Sequence, residues 1–113
     1  MAVDDALTMR FRKAVDNLTG ITEKRMMGGV CFLLNGNMLG GADRTKEGLG
    51  RFMFRVGKHN ETEALTRNGA IIMEQGGRRM GGLIFVSEKV CDEKTLRDWI
   101  DLALDFVATL PAK

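Results

Sequence analysis

The side chains able to carry chemistry in this chain are few and scattered. His59 is the only histidine, and Cys31 and Cys91 are the only cysteines. A histidine working as base or metal ligand needs partners close to it, and the two cysteines stand in no CxxC or other metal-binding spacing. Cys31 lies in an apolar run, Val30-Cys31-Phe32-Leu33-Leu34, and reads as a small core residue. Cys91 precedes a helical pattern whose N-terminal dipole would favour a thiolate, but Asp92 and Glu93 oppose it. Glu61 and Glu63 read as carboxylates of a helix start rather than as an acid–base pair. Gly28-Gly29 and the run from Gly76 to Gly82 match neither phosphate-binding fingerprint, and neither opens a long helix after a strand. The sequence therefore assigns no catalytic residue, no metal ligand and no cofactor. The expectation is a chain that is not an enzyme.

The basic residues are better placed. Lys24 and Arg25 precede the apolar run, Arg51 and Arg55 flank Met53 on one face of an alternating strand, and Arg78 and Arg79 open the last strand. Brought together, they would form a cationic patch able to meet phosphates. There is no helix-turn-helix, zinc-finger or RNP pattern, and no aromatic side chain stands among them to stack on a base. A nucleic-acid contact through this patch would be weak and blind to sequence. The plainer reading is charge that decorates a wet sheet face and keeps strand edges from pairing.

Composition sets the frame. The chain has 113 residues, 44% of them hydrophobic and 28% charged, and a formal net charge of +2. That profile is of an ordinary globular domain, with too little charge to argue for nucleic acid by itself. Its length fits one domain over residues 1–113. No apolar run reaches the roughly 20 residues of a membrane helix, and Asp4 and Asp5 sit where a secretory signal would be apolar. The cytoplasm is the expected location, without membrane contact. Eight methionines, six phenylalanines and one tryptophan make the core adaptable.

The elements follow from periodicity. Asp4 to Leu18 places Leu7, Phe11, Val15 and Leu18 on one helical face, with Gly20 as a stop. Met26 to Leu34 and Asn37 to Ala42 flank Asn35-Gly36, the dipeptide suited to a type I′ hairpin turn. In that register Gly28-Gly29 and Gly40-Gly41 face one another. Asp43 to Gly48 reads as a polar loop, and Gly50 to Val56 alternates as a strand. Lys58 to Asn68 reads as a short helix capped by Asn60 with Glu63 as its reciprocal partner. Two more strands, from Ala70 and from Arg79, surround a turn at Gly76-Gly77. The last helix runs from near Asp92 to about Leu110, with a long apolar stripe that includes Trp99 and Phe106. The order α-β-β-β-α-β-β-α predicts an α+β fold: two layers, with helices covering a mostly antiparallel five-stranded sheet.

Lys24-Arg25-Met26-Met27-Gly28-Gly29-Val30, followed by the Asn35-Gly36 turn and Met38-Leu39, resembles the start of the TfoX N-terminal domain family. The resemblance covers most of the chain and implies the same arrangement of elements. Met27 stands where the family's Phe is usual, Ser87 where a Pro often follows the last strand, and Ile72, Met73 and Leu83 replace later aromatics. The family's best-known members regulate competence in bacteria with the cyclic-AMP receptor protein and carry a second, helical domain. The resemblance thus implies a single-domain relative with a regulatory, transcription-related role and no catalytic motif. The sequence expectation is a protein–protein contact, foremost a homodimer through the sheet face of Arg51, Met53 and Arg55. The alternative is a nucleic-acid accessory protein using Arg25, Arg51, Arg55, Arg78 and Arg79.

Overall fold

The computed structural model describes residues 4–26, 28–75 and 77–113. Helix α1, Asp5–Ala14, is opened by Asp4, whose carboxylate accepts a hydrogen bond from the Leu7 amide at 2.9 Å. The same carboxylate takes the Arg44 guanidinium at 2.7 Å and so ties the helix start to the sheet. α1 buries Leu7, Phe11 and, just past its end, Val15. It stops earlier than its apolar stripe suggests, because the chain turns towards Gly20 (φ 83°) and the first strand.

That strand is the principal correction to the sequence reading. β1, Ile21–Met26, makes the sheet six-stranded rather than five-stranded. It is almost wholly exposed, so it has no apolar alternation by which to be found. The Met26-Met27-Gly28-Gly29 segment does not begin a central strand. It closes a hairpin in which Met26 pairs with Gly29, and Gly28 supplies the positive φ of 78° that the turn requires. Met27, like Gly76 of the later hairpin, lies outside the described residues.

β2, Gly29–Leu34, and β3, Asn37–Arg44, are joined at Asn35-Gly36, where φ is 51° and 85°, the type I′ geometry expected of Asn-Gly. A bulge at Leu39 shifts the register, so Gly40 pairs with Phe32 and Gly41 with Cys31. The two glycine pairs do not face each other, nor would they without the bulge, where the Asn35-Gly36 turn would set Gly40 opposite Cys31 and Gly41 opposite Val30. β3 also takes in Asp43 and Arg44, which the sequence reading leaves in a loop. β4, Gly50–Arg55, pairs with β3 and with β6, Arg78–Ser87, and β5, Ala70–Gln75, forms the far edge. The strand order is β1-β2-β3-β4-β6-β5, and every neighbouring pair is antiparallel. α2, Glu61–Thr66, follows a short 3-10 turn. Asn60 does not cap it with its side chain; its amide donates to the Val56 carbonyl and to Asp105 instead. α3, Glu93–Val107, is capped by Asp92, which accepts from the Thr95 amide at 2.8 Å.

α1 and α3 lie on the same face of the sheet. Phe32, Gly40 and Phe54 stand side by side in paired register, and the missing side chain at Gly40 leaves a slot between the two rings. Phe11 fills it, stacked on Phe32 at 4.6 Å between centroids; Phe54 in turn stacks on Trp99 of α3 at 5.5 Å. A β-carbon at Gly40 would lie 2.3 Å from the Met53 carbonyl oxygen and 3.0 Å from the Phe11 ring. Shortening this fully buried ring by Phe11→Ala should cost about 3–5 kcal/mol in urea unfolding, the range for a large core truncation.

The carboxyls of Asp4 and Glu23 are held below their usual range, Asp4 first by the Leu7 amide and Glu23 first by Arg12. Their folded values lie below the unfolded ones, so their stabilisation is complete above the ordinary carboxylate range. It is lost as pH falls through the folded values. Unfolding midpoints measured against pH should therefore drop on the acid side, and Asp4→Asn should flatten that drop.

Candidate functional site

The register decides which side chains share the second face of the sheet. Across its middle run Lys24, Cys31, Gly41, Met53, Phe85 and Ile71, one from each strand. The neighbouring positions on this face are Arg51 with Asp43 on one side, and Arg55 with Leu83 on the other. Cys31, Met53 and Leu83 form a second apolar cluster, separate from the main core, with Met38, Met80 and Phe85 packed against it. No helix residue belongs to it. The helices instead supply the main core, including Phe11, Ala64 and Trp99. Among the described residues, no helix side chain packs into this cluster, and Phe106 of α3 reaches the face at its end, beside Arg55.

The cluster closes on itself without that cover. Gly41 separates Cys31 from Met53, and the two side chains are only 3% and 6% exposed. Met53, expected as a surface contact, is thus an interior residue of its protomer. The accessible apolar surface lies around it: Ile71 is 60% exposed and Met26 37%, with Met38 and Phe85 half-buried. Burial also decides the thiols. It raises the Cys31 pKa, with Asp43 adding to the effect. It pushes Cys91 up to about 11, against the pull of Arg10. Neither is a poised nucleophile at neutral pH.

Among the described side chains, Arg25, Arg51 and Arg55 do not converge as one patch. Arg51 is held in two hydrogen bonds by Asp43, at 2.8 and 3.2 Å, and its guanidinium lies 3.7 Å from the centre of the Phe85 ring. Arg55 shares the face and leans over Phe106 at 5.4 Å. Arg25 does not: it pairs with Val30, which faces the helices, and the face it was expected to join carries Lys24 instead. The side chains of Arg78 and Arg79 lie outside the described residues. Charge spacing along the sequence could not separate these cases, because the missed strand β1 decides which of Lys24 and Arg25 points which way.

Among the described residues no group of three or more histidine, cysteine or acidic side chains is arranged to hold a metal ion. Likewise no helix among them is long and apolar enough to cross a membrane. The exposed His59 ring stands 3.7 Å from Asp105 and against Phe106, with no second candidate ligand.

A face of this kind, on an antiparallel sheet backed by helices on one side only, defines an open two-layer α+β domain. The chain belongs to the TfoX N-terminal domain family, whose pattern it matches over residues 13–107, from late α1 to the end of α3. Comparison with curated proteins finds no significant match. Comparison with solved structures finds none either.

The Asp43–Arg51 pair is part of how the face stays closed over its cluster. In a double-mutant cycle with Asp43→Ala and Arg51→Ala, denaturant unfolding should give a coupling of about 1–2 kcal/mol, as for neighbours in one network. A coupling near zero would mean the pair is decoration.

Proposed function

We propose that this TfoX N-terminal-domain protein is a non-enzymatic regulatory protein of the bacterial cytoplasm that works through protein–protein contact. The contact surface is the uncovered sheet face, and its first occupant is a second copy of the chain. The observation that carries the reading is the second apolar cluster on a face without helices, rimmed by Ile71, Met26, Met38 and Phe85. A soluble monomer gains nothing by leaving such a face open, whereas a partner would remove it from water.

The dimensions suit a self-contact. Six strands span about 24 Å across and six residues about 20 Å along, roughly 500 Å² in projection, and the corrugated accessible surface is larger. A stable interface takes about 600–800 Å² per partner. The charges suit it as well. The central arginine is already neutralised by Asp43, so a partner meets no unpaired cation at Arg51, and a phosphate backbone would find that cation occupied; Lys24 and Arg55, the other cations of the face, stand on the β1 edge and at the end of β4. Family membership supports a regulatory, competence- or transcription-related setting for the contact.

Sedimentation equilibrium is the test. The chain should be a dimer at micromolar concentration, and Ile71→Lys should weaken the dimer by about tenfold or more, equivalent to about 1.4 kcal/mol. Because Ile71 is exposed within the protomer, the lysine should leave the melting curve of the dilute protein unchanged. A monomer at high concentration, or a dimer indifferent to Ile71→Lys, would reject this surface.

A further inference from the structure

At one end of the sheet face, and sharing Met38, Arg55 and Leu83 with it, the end of β4 opens into a concavity of about 640 Å³, within the range of small-molecule sites. Three local features make it. β6 carries a bulge there: Ile72 pairs with Ile84 and the next residue, Met73, pairs with Met80, so Gly81, Gly82 and Leu83 have no partner in β5, while Leu83 still pairs with Arg55 of β4. The chain leaves β4 through Gly57, whose φ of 84° turns it away from the sheet. Phe106 of α3 then packs on Gly57, where a β-carbon would fall 2.6 Å from the ring. The backbone around the space is already satisfied, with Val56 and Gly57 donating to the Gly82 carbonyl and the Gly82 amide donating to Glu61.

The lining combines apolar and cationic side chains: Met38, Leu83 and Phe106 are apolar, and Arg55, Lys58 and His59 are the polar ones. Arg55 lies over the Phe106 ring, and the Lys58 stem approaches Gly81, where a β-carbon would come within 3.0 Å of its Cε. Among the described residues neither Arg55 nor Lys58 makes an ion pair, and none of the lining side chains is acidic. Two carboxylates stand nearby: Asp105 is taken up by His59 and Asn60, and Glu61 accepts from the Gly82 amide.

We propose that this concavity binds a small organic carboxylate with a flat apolar body. The carboxylate is held by Arg55 and Lys58, and the body lies against Phe106, Leu83 and Met38. A guanidinium presents paired donors that match a carboxylate, an ammonium adds a point charge, and an aromatic wall favours a flat partner. The site does not require self-association.

The test is a titration with 2-naphthoate followed by amide resonances, on the native chain and on the Ile71→Lys chain so that dimerisation cannot mimic binding. Saturable shifts are expected at Gly57, Lys58, His59 and Gly82. Replacing the probe by the neutral 2-naphthylmethanol, or the chain by Arg55→Gln, should weaken binding by about tenfold, the worth of one charge-assisted contact. Gly81→Leu, at a position with no positive φ, should fill the space and abolish binding. If Arg55→Gln loses its native spectrum, Lys58→Gln on the exposed turn replaces it and should weaken binding in the same direction. Equal affinity for the neutral alcohol, shifts confined to another region, no saturation at millimolar probe, or inorganic phosphate binding as tightly as naphthoate would each overturn the proposal.

Discussion

The close approach of β2, β3 and β4 at their glycines is the constraint on which both faces of this sheet depend. A β-carbon at Gly29, Gly40 or Gly41 would lie 2.3–2.4 Å from a carbonyl oxygen of a neighbouring strand, a distance that no side chain tolerates. The helix face uses the bare position at Gly40 to seat Phe11 between Phe32 and Phe54, which fixes α1 on the sheet. On the opposite face the bare position at Gly41 lets Cys31 and Met53 close together without a helix above them. One pair of adjacent glycines therefore serves both layers, because successive residues of a strand point to opposite sides.

The helical apolar surface of the chain is spent on one face. α3 buries Trp99, Ile100, Ala103 and Val107 there, α1 adds Leu7 and Phe11, and the short α2 adds Ala64. What remains for the second face is a small self-contained cluster and an apolar rim. The cluster keeps the protomer intact; the rim is what a partner would cover. The two edges of the sheet differ. β1 is polar along almost its whole length, which discourages strand pairing, while β5 carries the exposed Ile71. The polar β1 edge is thus the less suited of the two to pairing with another strand.

Much of the fold was legible in the sequence, and the failures share a cause. The Asn35-Gly36 turn, the alternation of Phe52 and Phe54, and the stripe of α3 are strong local signals, and the structure matches all three. β1 was not legible, because an edge strand with no buried face has no apolar period to read. Missing it moved the family's Met-Gly-Gly segment from a hairpin turn into a strand, and left Lys24 and Arg25 ahead of the sheet with no face assigned to either. The bulge at Leu39 was invisible for a related reason: one extra residue changes the register without changing composition. Asp43 was read as a loop acid, and only the pairing of β3 with β4 shows that it neutralises Arg51. For the site, the alternation of Arg51, Met53 and Arg55 correctly marked one face; that Met53 is buried follows from Gly41 and the neighbouring strands, which lie far off in sequence.

The central claim is that the face without helices is where this protein meets its copy. Intermolecular cross-saturation addresses it most directly, with saturation passed from protonated chains to deuterated, methyl-labelled chains in a mixed sample. Attenuation is expected at the methyls of Met26, Met38 and Ile71, and none at Met9 of α1 or Leu65 of α2, which are exposed on the helical side. Attenuation at Met9 and Leu65, with the sheet-face methyls untouched, would contradict it.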